Sequence, residues 1–301
     1  MKTRLLLILI LSLGLCAPAA AATVYRPLVL ASVNDQGLEA VIDNTVAALG
    51  DAGFTVAGQY RPLETAAVIV VTSDALKDIA TASERGAYAA ALRVSVSERD
   101  GKTEVAYINP LYLQHAYRLE ADMQSVMDAL SAALGNQASY GSEKGLSAKK
   151  LRKYNYMIGM QKFDDPSELG EFDRFEDAVS AVEDGLAKEG DALSQVYRID
   201  LPETQQILFG VAMKATGRND DERDIDESFQ MSVVDFEGHS KIAYFPYEVL
   251  VDGNRVEALH MRFRMAVHFP DLPMMGAHGF MKLRSSPGAI EDALESLVET
   301  P

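Results

Sequence analysis

The sequence predicts an α+β protein of two tandem units, each running strand, helix, four strands, helix, with an antiparallel sheet that carries helices on one face. Three observations predict it. Amphipathic helical segments recur at a constant offset, each is followed by short β-branched runs, and each half holds an Asp-Gly turn between two such runs.

Taken in order, Tyr25 to Val33 reads as a first strand. Leu38 to Leu49 has apolar residues at helical spacing and stops at Gly50-Asp51-Ala52-Gly53. Gln59-Tyr60-Arg61-Pro62 opens a strand, and Glu64-Thr65 precede another, Val68-Ile69-Val70-Val71. Leu92 to Val96 then leads through Asp100-Gly101 into Val105 to Ile108, a hairpin signature. A helix from about Glu120 to Leu134 ends the half. The second half has a helix over Phe175 to Leu186, a glycine stop at Gly190, and strands at Val196 to Ile199 and Ile207 to Val211. Tyr247 to Val251 leads through Asp252-Gly253-Asn254 into a long strand expected from Val256 to Phe269. Ser286-Pro287 opens a last helix, to Val298. Leu38 and Phe175, Gly53 and Gly190, and Tyr60 and Tyr197 all stand 137 residues apart (190 − 53). Tyr154 to Met160 is expected as the first strand of the second unit. The expected division is a leader over 1–22, a first domain over 23–135, a linker over 136–153 and a second domain over 154–301.

The leader is read as a secretory signal peptide. Lys2 and Arg4 precede an apolar run from Leu5 to Cys16, then Ala17-Pro18 and a string of alanines. The run is shorter than the ~20 apolar residues that span a bilayer. A lipidated cysteine normally follows a small residue, and Leu15 is not small, so a periplasmic or secreted protein is expected rather than a lipoprotein. Cys16 is the one cysteine, so the cleaved chain has no disulfide, thiol nucleophile or thiolate metal site. Loss of Lys2 and Arg4 leaves 26 basic against 44 acidic residues, a net charge of −18 (26 − 44). Such a surface repels phosphate backbones and anionic lipid headgroups, which argues against nucleic-acid and peripheral membrane partners. No later segment is apolar enough to be a membrane span. A monomer or homodimer is expected.

Gly53-Phe54-Thr55-Val56, Gln59-Tyr60, Val68-Ile69-Val70-Val71-Thr72, Glu84-Arg85-Gly86 and Asn109-Pro110 resemble the bacterial domain-of-unknown-function family numbered 302 over residues 24–134. A diverged second copy at about 154–299 is anchored on Pro246-Tyr247-Glu248, Phe269-Pro270-Asp271-Leu272 and Met274-Met275-Gly276. The resemblance implies a fold similar to that of the TATA-box-binding protein. It implies no activity, and no DNA binding, because such a saddle needs a basic face.

Three constellations are candidates for chemistry. With period two, Leu259, Met261, Phe263, Met265, Val267 and Phe269 form one face of the expected strand, and His260, Arg262, Arg264 and His268 form the other. Arginines suit carboxylate or phosphate groups, so this cationic sheet face is a candidate site for a small anionic ligand or a periplasmic protein partner. The alternative is a solvated face whose arginines pair with acids such as Glu248. His268, Met274, Met275, His278 and Met281 offer imidazole and thioether ligands, which favour copper(I). No cofactor is expected on the main reading; copper or haem handling is the alternative. Tyr112, His115 and Arg118 recur every three residues after Asn109-Pro110 and are candidates to line a pocket mouth. The run Asn219 to Glu227 carries six acids and reads as a solvated loop. No nucleophile elbow, zinc-protease or phosphate-loop motif occurs. A binding or interaction module is therefore expected, with an enzyme using the Arg262, Arg264 and His268 face as the alternative.

Overall fold

A computed structural model describes residues 23–217 and 220–299; the leader expected over 1–22 lies outside them. The protein is α+β with antiparallel sheets. Its first half runs β1 (Val24–Tyr25), β2 (Leu28–Asn34), α1 (Leu38–Asp51), β3 (Thr55–Leu63), β4 (Ala66–Thr72), α2 (Asp74–Thr81), β5 (Leu92–Arg99), β6 (Lys102–Ile108), α3 (Pro110–Ala116) and α4 (Gln124–Leu134). A central stretch holds β7 (Ala138–Tyr140), β8 (Leu146–Ser147) and α5 (Ala148–Arg152). The second half runs β9 (Ser167–Glu171), α6 (Phe175–Glu189), β10 (Leu193–Leu201), β11 (Gln206–Met213), α7 (Glu227–Val234), β12 (Tyr247–Asp252), β13 (Arg255–Ala258), α8 (Met261–His268) and α9 (Ser286–Glu295).

One sheet has the order β3-β4-β5-β6-β2-β7 and the other β10-β11-β12-β13-β9. The first five strands of each follow the same sequential plan: the strand before the long helix closes the row beside the second arm of the hairpin. Within the segment expected to link the halves, β7 extends the first sheet by pairing with β2, and β8 pairs with β1. The hairpin at Asp100-Gly101 has both residues at positive φ (52° and 76°), the geometry for which that dipeptide is favoured.

The sheets face one another, which explains β4. Its run Ala-Ala-Val-Ile-Val-Val-Thr is buried at every position, because α1 packs across the first sheet and the second half covers its other side. In β5, Leu92, Val94 and Val96 alternate with Arg93, Ser95 and Ser97. The polar set points at the other half, since Arg93 reaches Glu248 of β12. The edge strands β3 and β10 meet where each carries a bulge. There a Cβ on Gly58 would stand 2.2 Å from the Val196 carbonyl oxygen, so only glycine permits the approach.

Two strand expectations fail. Tyr154 to Met160 forms no strand; the Asn155 side chain accepts from the Met157 amide (3.1 Å) and Gly159 sits at φ +84°, so local turns win. Its place beside the hairpin belongs to β9, which pairs with β13. The long strand expected from Val256 to Phe269 ends at Ala258, and Met261–His268 is a helix.

Candidate functional site

The helix α8 dissolves the expected cationic sheet face. The His260 side chain is the helix N-cap, its Nδ1 accepting from the Arg262 amide at 3.1 Å, and its Nε2 lies 3.9 Å from Glu291. Burial depresses its pKa, with Glu291 opposing. Arg262 points outward and, with Met265, Phe269 and Met274, lines a small apolar hollow. Arg264 and His268, one turn apart, point into the protein and are fully buried. The four residues therefore present no common face.

The other two constellations are also dispersed. His268 Nδ1 bonds the Arg264 carbonyl at 2.8 Å, whereas His278 stacks on Phe236 (3.9 Å between centroids) and Met275 is exposed. The structure thus draws His268 and His278 to different partners. Among the described residues no group of three or more His, Cys, Asp or Glu side chains is arranged to hold a metal. Tyr112 is buried and donates to the Val267 carbonyl at 2.6 Å, pinning α3 to α8. His115 packs edge-on against Tyr25, its pKa lowered by burial and by Arg152. Arg118 falls beyond α3, at φ +55°, and pairs with Asp164 at 2.8 Å.

What the fold does assemble is a charged centre between the sheets. Arg93 and Glu248 are each the second residue of the third strand in their sheet, and meet at 2.6 Å with both side chains buried. Tyr197 donates to the same Glu248 oxygen at 2.8 Å, and Arg93 Nε donates to the Ala243 carbonyl at 3.0 Å. Arg264 Nη2 donates to the carbonyls of Tyr244 (2.9 Å) and Pro246 (2.6 Å), stacks over the Tyr244 and Tyr247 rings, and stands 3.6 Å from Glu248. Burial, then the charges of Arg93 and Arg264, hold the His268 pKa well below normal, so its ring is neutral. Nearby, Arg85 holds Glu257 at 3.0 Å.

A second polar feature lies at the seam of the halves. Tyr60 of β3 donates to Glu227 at 2.9 Å, and Glu227 also accepts from the Met213 amide at 3.3 Å. Burial drives the Glu227 carboxyl up to about 8 despite these donors and the nearby Arg264 charge, so at neutral pH it is mostly protonated. The pair forms the floor of a cleft of about 600 Å³, within the range of small-molecule sites. The walls carry Glu64, Asp191 and Asp226 against Arg61 and Lys214, with Leu63 and Met213 as apolar surface.

Sequence reading missed this site because Glu227 closes an acid-rich run that looks like a solvated loop. Asp226 is in fact the N-cap of α7, accepting from the Phe229 amide at 2.9 Å, which turns Glu227 inward to 3% exposure. The signal was present: an Asp before Glu-Ser-Phe is a helix start, and Tyr60 stands 137 residues (197 − 60) before Tyr197. No protein-family model, no curated protein and no solved structure matches this chain.

Proposed function

We propose that the chain is an exported binding module for a small cationic, amine-bearing ligand, held in the cleft floored by Tyr60 and Glu227. The observation that supports it most is Glu227 itself. A buried carboxyl kept neutral in a cleft is costly to ionise until a positive charge arrives, and a ligand ammonium supplies that charge. Three further carboxylates against two cationic side chains favour the same sign of ligand, as does the acidic chain as a whole. The cleft draws Tyr60 and Arg61 from one half and Ser194, Met213 and Glu227 from the other, so ligand contacts would couple the two. Export rests on the basic start and short apolar run of residues 2–16.

Binding is tested by calorimetry with a panel of small mono- and diamines at pH 7, in two buffers of different ionisation enthalpy. The reading expects proton release of up to one per ligand, lost in Glu227→Gln. Amines that bind without proton release, or bind Glu227→Gln equally well, would remove Glu227 from the site. A second reading is catalytic: a carboxyl titrating near 8 beside a phenol suits general acid–base work. Conversion of a bound ligand, seen by mass spectrometry and abolished in Glu227→Gln, would favour it.

A further inference from the structure

The centre between the sheets holds polar atoms that its own bonds leave unused. Arg93 Nη2, Arg264 Nε and Nη1, the hydroxyls of Tyr117 and Tyr244, His268 Nε2 and Glu248 Oε2 are all buried and make no hydrogen bond of good geometry. The Tyr117 hydroxyl oxygen lies within reach of the Arg93 guanidinium and the Tyr244 hydroxyl oxygen within reach of Arg264, so each phenol keeps its own proton to donate. These groups come from β5, α8, β12, the turn after α3 and the turn before β12, so five parts of the chain converge there. Most are donors. Two guanidiniums face one carboxylate: Glu248 receives Arg93 and Tyr197 on Oε1, and its Oε2 stands 3.6 Å from Arg264 without a hydrogen bond.

Charge balance sharpens the point. Arg93 and Arg264 keep their protons under all ordinary conditions, Glu248 compensates one of them, and His268 is neutral. The enclosed centre thus carries one positive charge in excess, and an uncompensated buried charge is expensive. The neighbouring pair Arg85–Glu257 balances itself.

We propose that this centre is a binding site for a small monovalent anion of halide size, received by Arg93, Arg264 and the hydroxyls of Tyr117 and Tyr244. Guanidinium and phenol donors in excess of the acceptors around them are the chemistry that takes up such an ion, and the burial of every one of these groups limits its size. A structural ion here would tie β5 of one sheet to α8 and the β12 turn of the other half, acting as a lock between them. This site is separate from the cleft, and its sign of ligand is opposite.

The test is thermal unfolding in sodium chloride or bromide against sodium gluconate at equal ionic strength, with bromide anomalous diffraction on the same protein. The expected Tm rises by about 3–5 °C for each tenfold increase in halide above its dissociation constant, as stabilisation by mass action gives for a chain of this size. An anomalous peak is expected beside Arg93 Nη2 and Arg264 Nη1. Tyr117→Phe and Tyr244→Phe remove one donor each without disturbing packing, and are expected to weaken the halide dependence severalfold; Arg264→Met should abolish it. Peaks only at surface lysines, ordered water at the centre in bromide, or an equal halide effect in both Tyr→Phe variants would overturn the proposal. If Arg264→Met fails to fold, the two phenylalanine variants and the diffraction result still decide.

Discussion

Replacing Glu248 by Gln should cost more than replacing Arg93 by Met, although both changes break the same 2.6 Å contact. Gln preserves shape and can still accept from Tyr197, but leaves two buried guanidiniums with no carboxylate between them. Removing one partner of a buried ion pair costs about 3–5 kcal/mol, and here the stranded charge is doubled. Arg93→Met instead leaves Arg264 and Glu248 in balance at 3.6 Å, with Glu248 still receiving Tyr197, so the loss is closer to the ~1–3 kcal/mol of a buried hydrogen bond. The assay is urea unfolding at pH 7 in halide-free buffer, comparing midpoints at constant slope. On a chain of this size the difference appears as roughly 5–10 °C in Tm. Equal losses, or a larger loss for Arg93→Met, would refute the charge-balance reasoning and leave a simple contact in its place.

Other consequences follow from the same geometry. Gly58→Ala drives a methyl to 2.2 Å from the Val196 carbonyl oxygen, so the bulged edge strands must part, and a loss of several kcal/mol in urea unfolding is expected. Glu227 takes up its proton at a higher pH when folded than when unfolded. The folded state therefore holds the extra proton between about pH 4.5 and about 8, and stability falls as pH rises through that window. Glu227→Gln should flatten this slope and be the more stable protein at pH 9, read by thermal melts across pH. His268 behaves in the opposite direction: its folded pKa is depressed by burial, so the unfolded chain gains the proton first and stability falls as pH drops below the ordinary histidine range near 6.5. His268→Gln should remove that part of the acid slope.

Much of the strand and helix order was legible because local and global preferences agree. The helix α1 has apolar residues at Leu38, Val41, Ile42 and Leu49, all of which are buried, and Asp100-Gly101 adopts the turn its residues favour. The offset of 137 (197 − 60) sets Tyr60 and Tyr197 on the edge strands β3 and β10, the two that touch at the seam. The stretch after Val256 was misread for a physical reason. Alternating Leu259, Met261, Phe263, Met265 and Val267 mimics a half-buried strand, yet α8 is enclosed on nearly every side, and of its eight residues only Arg262 and Ala266 are less than buried. An enclosed helix has no amphipathic stripe, so period-two alternation carries no information there. Its start was hidden as well, because the cap is a histidine. The site eluded sequence reasoning for a related cause: burial of Arg93, Arg264 and Glu227 depends on the meeting of two sheets, and no local pattern records which charged side chains that meeting encloses.

The central claim is that Glu227 is a neutral acid at the floor of the cleft and ionises when a cationic ligand arrives. Its side-chain carboxyl carbon can be followed directly by NMR across pH in protein labelled at glutamate, with Glu227→Gln identifying the resonance. The account predicts titration near pH 8 in the free protein and a lower midpoint when an amine that binds is added. A midpoint near the ordinary glutamate value, unmoved by any amine that binds, would contradict it.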